Sequence, residues 1–88
     1  MRNLAESILK KKYAACVTFF KTTSIYWWNE KLEESEEVNI QIKTTKDKLQ
    51  NLLLEIKERH SYQIPEIIYW DASVSKGYGD WIKESLIN

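Results

Sequence analysis

The chain has 88 residues with thirteen basic and thirteen acidic side chains, so its formal charge is zero. That balance gives no reason to expect binding to nucleic acid or an anionic membrane, and no apolar stretch is long enough to span a bilayer. At this length only about 60–65% of the unfolded surface can be buried, so one small domain over residues 1–88 is expected, marginal as a monomer and helped by oligomerisation.

The N-terminus has no apolar core and no small-residue cleavage site, so it does not read as a secretory signal. Leu4, Ala5, Ile8 and Leu9 recur at helical spacing, with Glu6 and Lys10 on other faces, which predicts an amphipathic helix to about Lys12. From Ala14 to Phe20 the sequence turns β-branched and aromatic, predicting a strand. Lys21-Thr22-Thr23 is a polar break, or a bend within one long strand, before β character resumes at Ile25–Trp28. Asn29-Glu30 is the expected hairpin tip, because Asn tolerates positive φ. The acids Glu30, Glu33, Glu34, Glu36 and Glu37 then read as a solvated hairpin surface rather than a cation site. Val38, Ile40 and Ile42 alternate with Asn39, Gln41 and Lys43, the pattern of a half-buried strand.

Thr44-Thr45 supplies an expected N-cap, with Asp47 completing a capping box from Thr44. Leu49, Leu52, Leu53 and Ile56 form the stripe of a second helix ending near Arg59. Pro65 restarts extended chain. Ile67–Trp70 is expected as a further strand, and Trp81, Ile82 and Leu86 as a short closing helix after the two glycines, Gly77 and Gly79. This order matches a split β-α-β, ferredoxin-like α+β sandwich without its opening strand, an antiparallel sheet with helices on one face.

Ser24-Ile25-Tyr26-Trp27-Trp28 concentrates more aromatic surface than a small domain can cover. Strand alternation puts Ile25 and Trp27 on one face and Tyr26 and Trp28 on the other, so both faces need burial, and subunit association is the economical answer. His60, the one histidine, could bind a divalent transition metal with Glu66 or a residue of another subunit, although a lone histidine near a helix C-terminus is more readily explained by the helix dipole. Cys16, the one cysteine, excludes an internal disulfide framework, suits a reducing compartment with the cytoplasm as default, and is expected to be buried as a small hydrophobe. No phosphate loop, paired-cysteine site, Ser/His/Asp set or nucleophile elbow occurs, so no enzymatic activity is expected.

Five blocks of this sequence resemble the divalent-cation tolerance (CutA) family: Ala14-Ala15-Cys16-Val17, Ser24 to Trp28, Ile42-Lys43-Thr44, His60-Ser61-Tyr62-Gln63-Ile64-Pro65-Glu66-Ile67, and Tyr78-Gly79-Asp80-Trp81-Ile82. They occur in family order and cover essentially the whole chain. The resemblance implies a ferredoxin-like subunit in a PII-like homotrimer. It also implies an association with tolerance of copper and other divalent metals, in some members copper binding, and no organic cofactor. On that basis His60 and Glu66 are the expected metal ligands. Ile25, Trp27 and Trp28 are the expected trimer contacts, and Lys43, Tyr26, Trp28 and Tyr62 are expected to line an inter-subunit cleft. The expected partners are other copies of the chain and a divalent ion; an alternative is a PII-like assembly or signalling module whose clefts take a small anion or a partner protein. The chain departs from the family pattern in lacking the first strand, in Lys21-Thr22-Thr23 for a usual Pro-Gly, in Ser61 for a usual proline, and in Gly79 for a helix former. Either the natural protein carries about 10–20 residues ahead of Met1, enough for one strand and its loop, or the gap is filled by rearrangement or exchange between subunits.

Overall fold

The computed structural model describes residues 2–59 and 66–87. Helix α1 (Arg2–Lys10) buries Ala5 and Ile8 and leaves Leu9 at its margin. It ends in a Schellman closure: Tyr13 N–H donates to the Ile8 carbonyl and Lys12 N–H to that of Leu9, both at 3.1 Å. Lys12 sits at φ 62°, where glycine is usual, so a residue with a Cβ holds a left-handed conformation. Tyr13, just beyond the closure, packs back on the Ile8 cluster.

Strands β1 (Cys16–Trp28) and β2 (Lys31–Lys43) are each 13 residues long and pair antiparallel from Cys16↔Lys43 to Trp28↔Lys31. Lys21-Thr22-Thr23 is therefore no break, and the strand runs through it. The acidic run lies largely within β2, with Glu33, Glu34, Glu36 and Glu37 exposed along the ladder and Glu30 in the turn. Asn29 (φ 51°) and Glu30 (φ 63°) form the two-residue tip, and positive φ at both is the signature of the type I′ turn that matches strand twist. At about 3.3 Å per residue each strand is roughly 43 Å long, close to the molecule's longest dimension of 46 Å. The hairpin is the long axis of the subunit.

Among the described residues, only its base is covered. Val17 and Ile42, opposite each other in the register, pack with Leu4, Tyr13 and Ile56 against the buried cluster of Ile8, Ala14 and Leu52. Leu52 and Ile56 belong to α2 (Leu49–Arg59), so α1 and α2 cover the same face of the hairpin base, as in a ferredoxin-like layer. Glu55, on the same helix, is only 4% exposed. Its carboxylate accepts from Ser7 Oγ (2.5 Å), Lys11 Nζ (2.9 Å) and Arg59 Nε (2.6 Å), which bolts α1 to α2. The Ser7 hydrogen bond, then the lysine and arginine, pull its pKa down to about 2.

The entry to α2 differs from the capping box expected at Thr44. The chain makes a 3-10 turn over Lys46–Lys48, and Thr45 occupies its N-cap position without a side-chain cap. Starting the turn there puts Asp47 out of register with Thr44. Thr44 Oγ1 donates instead to the Tyr13 carbonyl at 2.7 Å, tying the end of β2 to the α1–β1 link. Thr45 Oγ1 donates to Asp47 Oδ1 at 2.5 Å, and that hydrogen bond holds the Asp47 carboxyl below its ordinary range.

The expected strand at Ile67–Trp70 does not form: residues 66–75 carry no regular structure, and the sheet of the described residues has two strands. A strand exists only through its neighbour. In a split β-α-β sheet that neighbour is the opening strand, which these 88 residues do not contain. Helix α3 (Lys76–Ser85) follows, burying Ile82, with Leu86 buried just past its end. Among the described residues no helix is long and apolar enough to cross a membrane.

Candidate functional site

Two surfaces stand out once the hairpin is seen to outrun the helices. The first is its distal half. Ile25 and Trp27 stand opposite Glu34 and Leu32 on one face, and Tyr26 and Trp28 opposite Glu33 and Lys31 on the other. Trp27 is 72% exposed and Ile25 67%, and Trp28 and Leu32 are more than 60% exposed. Among the described residues nothing covers either face of this aromatic blade. Apolar surface of this kind on a soluble domain marks an interaction site.

The second surface lies at the base. Lys43 Nζ sits 5.5 Å above the centre of the Tyr78 ring, within cation–π range, and Tyr78 stacks on Trp81 with centroids 5.4 Å apart and planes at 30°. Both rings are about 40% exposed. The pair is spaced i, i+3 on α3, so its adjacency was readable from helix geometry, but nothing in the sequence pattern brought Tyr78 to Lys43. Cys16 lies opposite Lys43 in the ladder and is half-buried, not enclosed as expected; its Sγ is 3.8 Å from Thr18 Oγ1. It stands on the strand face opposite that of Val17, away from the helix-covered core.

The cleft residues expected together are separated within one subunit. Tyr26 is ten residues along β1 from Cys16, the partner of Lys43, which at about 3.3 Å per residue is some 33 Å. Lys43 and the aromatic pair Tyr26 and Trp28 can share a cleft only across two subunits. Tyr62 and His60 lie outside the described residues, and Glu66 is exposed. Among the described residues no three His, Cys, Asp or Glu side chains converge as a metal site.

Comparison with known proteins agrees with this architecture. Residues 1–85 match the family described as CutA1 divalent ion tolerance protein. The divalent-cation tolerance protein CutA of Yersinia pestis (strain Pestoides F) is 41% identical, the match covering 98% of this chain and 74% of that protein. The crystal structure of CutA1 from Pyrococcus horikoshii is 34% identical and superposes with a TM-score of 0.86, covering 96% of this chain and 83% of that one. A PII-like protein CutA from Nostoc sp. PCC 7120, solved in apo form, shares the fold with a TM-score of 0.85 at 24% identity, over 98% of this chain and 86% of its own. The fold is thus ferredoxin-like in the CutA and PII-like manner, and the family is defined by tolerance of divalent ions and not by a reaction. With 41% identity over nearly its whole length and a family match from residue 1 to 85, this chain belongs to the CutA1 divalent ion tolerance protein family.

Proposed function

We propose that this chain works as a homotrimeric divalent-cation tolerance protein of the cytoplasm, assembled through its aromatic hairpin and binding copper or another divalent ion weakly. The observation that carries the assembly is the distal hairpin, which presents Ile25, Trp27, Trp28 and Leu32 to solvent on both faces. A monomer gains nothing from holding two tryptophans far from its own core, whereas a neighbouring subunit can bury them. The cytoplasmic location rests on the single cysteine.

Metal binding in this reading belongs to His60 and Glu66. An imidazole and a carboxylate suit a divalent transition ion. Two protein ligands leave most of the coordination shell to water or to another subunit, so the affinity expected is low. Calorimetric titration of the chain and of His60→Ala with Cu²⁺ tests this. A heat present in the chain and lost in the variant is the expected result. Equal heats would remove His60 from the site, and no heat in either would remove metal binding.

One observation favours a second reading, a PII-like module that takes a small anion between subunits. Lys43 lies over the half-exposed Tyr78–Trp81 stack, a cation beside a flat apolar floor. A thermal-shift panel separates the readings, because a ligand that binds only the folded state raises the melting temperature. Stabilisation by organic carboxylates or nucleotides and not by metals would favour the module.

A further inference from the structure

Lys43 is exposed at the end of β2, and no carboxylate among the described residues pairs with it. Asp80, on α3 beside Trp81, is already held by Lys76 at 2.7 Å, and Glu55 by Lys11 and Arg59. What Lys43 Nζ meets is the Tyr78 ring, 5.5 Å from its centre. A ring face attracts a cation through its quadrupole, but a carboxylate accepting a charge-assisted hydrogen bond is the stronger partner.

The rings are as available as the charge. Tyr78 and Trp81 stack with centroids 5.4 Å apart and are 38% and 45% exposed, whereas Ile82 and Leu86 are buried. The C-terminal helix thus turns its aliphatic residues inward and leaves its aromatic pair at the surface. Tyr78 stands between Gly77 and Gly79, so neither chain neighbour has a side chain to crowd its ring, and a Cβ at Gly77 would meet open space. The free part of the two rings comes to roughly 150–200 Å². That is far below the ~800 Å² each partner contributes to a stable protein interface, and is the size of one small planar molecule.

We propose that Lys43, Tyr78 and Trp81 form a site for an aromatic monocarboxylate. Its carboxylate accepts from Lys43 Nζ, and its ring lies on the exposed aromatic pair. The proposal rests on the reading of the chain as a module that takes a small anion, and names the class of that anion. One ammonium matches one negative charge. A polyphosphate needs several cations, and of the chain's two arginines Arg59 is committed to Glu55 and Arg2 lies at the start of α1. An aliphatic acid would satisfy Lys43 and leave the rings bare.

The test is an NMR titration of the isotope-labelled 88-residue chain with benzoate, cyclohexanecarboxylate and benzamide, following amide and indole N–H resonances. Benzoate should shift Lys43, Tyr78 and the Trp81 indole along one saturable curve. Its dissociation constant should be at least tenfold below those of the other two, which lack the flat ring and the charge respectively. Lys43→Gln and Trp81→Leu should each weaken benzoate at least fivefold, and Lys43→Arg should retain it. If both acids bind alike and both are weakened in Lys43→Gln, the aromatic class is wrong and the small-anion reading stands. No saturable shift with either acid, or benzoate binding unchanged in Lys43→Gln, would overturn the proposal, and the thermal-shift panel decides the small-anion reading separately. Shifts at Tyr78 and Trp81 that follow protein concentration and not benzoate would also overturn it, giving the seat to the acidic hairpin of a second copy.

Discussion

Replacing Trp27 by serine isolates the hairpin's role, because the side chain is 72% exposed and has no part in the buried cluster of Ile8, Ala14 and Leu52. A tryptophan carries roughly 150–250 Å² of surface, of which somewhat over 100 Å² is free here. Covering that surface at about 25 cal/mol per Å² stabilises an interface by about 3 kcal/mol per copy. A loss of that size weakens each subunit contact by about a hundredfold. Sedimentation velocity across a dilution series should show the Trp27→Ser assembly dissociating at correspondingly higher protein concentration. Thermal unfolding of the dissociated subunit should be unchanged, whereas Leu52→Ala in the core should lower its stability by about 2–5 kcal/mol. An unchanged dissociation midpoint would refute the assignment. A stability loss in the Trp27→Ser subunit as large as that of Leu52→Ala would refute it too, since Trp27 would then belong to a core the structure does not show.

Three further outcomes follow from local geometry. Glu55 has its pKa lowered from 4.5 to about 2 by Ser7, Lys11 and Arg59, so the stability it contributes is complete above about pH 5 and is lost as pH falls towards 2. The melting temperature of the wild type should therefore fall through that window, and Glu55→Gln should flatten the profile; parallel profiles would contradict the clamp. Gly77→Ala in α3 meets open space and should stabilise by about 0.5–1 kcal/mol, whereas a Cβ at Gly79 would lie 3.0 Å from Val74 Cγ2 and should gain less by chemical denaturation. Lys12→Gly should relieve the left-handed strain at φ 62° and raise the melting temperature by several degrees, since about 1 kcal/mol is worth roughly 4–8 °C in a domain this small.

The periodic signals in the sequence carried most of the fold. The stripe at Leu4, Ala5 and Ile8, the alternation at Val38–Lys43 and the Asn29-Glu30 tip all depend on local rules, and all appear in the structure within a residue or two. What sequence could not supply was anything set by a partner. Ile67–Trp70 has strand composition, but composition cannot pair a backbone, and its neighbour is not in these 88 residues. The Thr44–Asp47 box failed because a 3-10 turn moved the helix start, a shift of one residue that propensity does not resolve. Glu55 escaped notice because two of its three partners, Ser7 in α1 and Lys11 just past it, are more than forty residues away, and only the i, i+4 spacing to Arg59 hinted at it. The aromatic blade was legible as surface needing cover on both faces, and the structure leaves both faces exposed. Lys43 was picked out from its strand position, while its seat on Tyr78 needed the fold to bring α3 beneath it.

Sedimentation equilibrium of the unmodified chain tests the central claim, that the hairpin is an assembly surface, most directly. Assembly through Ile25, Trp27 and Trp28 predicts a reversible species of three times the 10.5 kDa chain mass, with tryptophan quenching by acrylamide falling as it forms. A chain that stays at 10.5 kDa at high micromolar concentration, with its tryptophans fully quenchable, would contradict it.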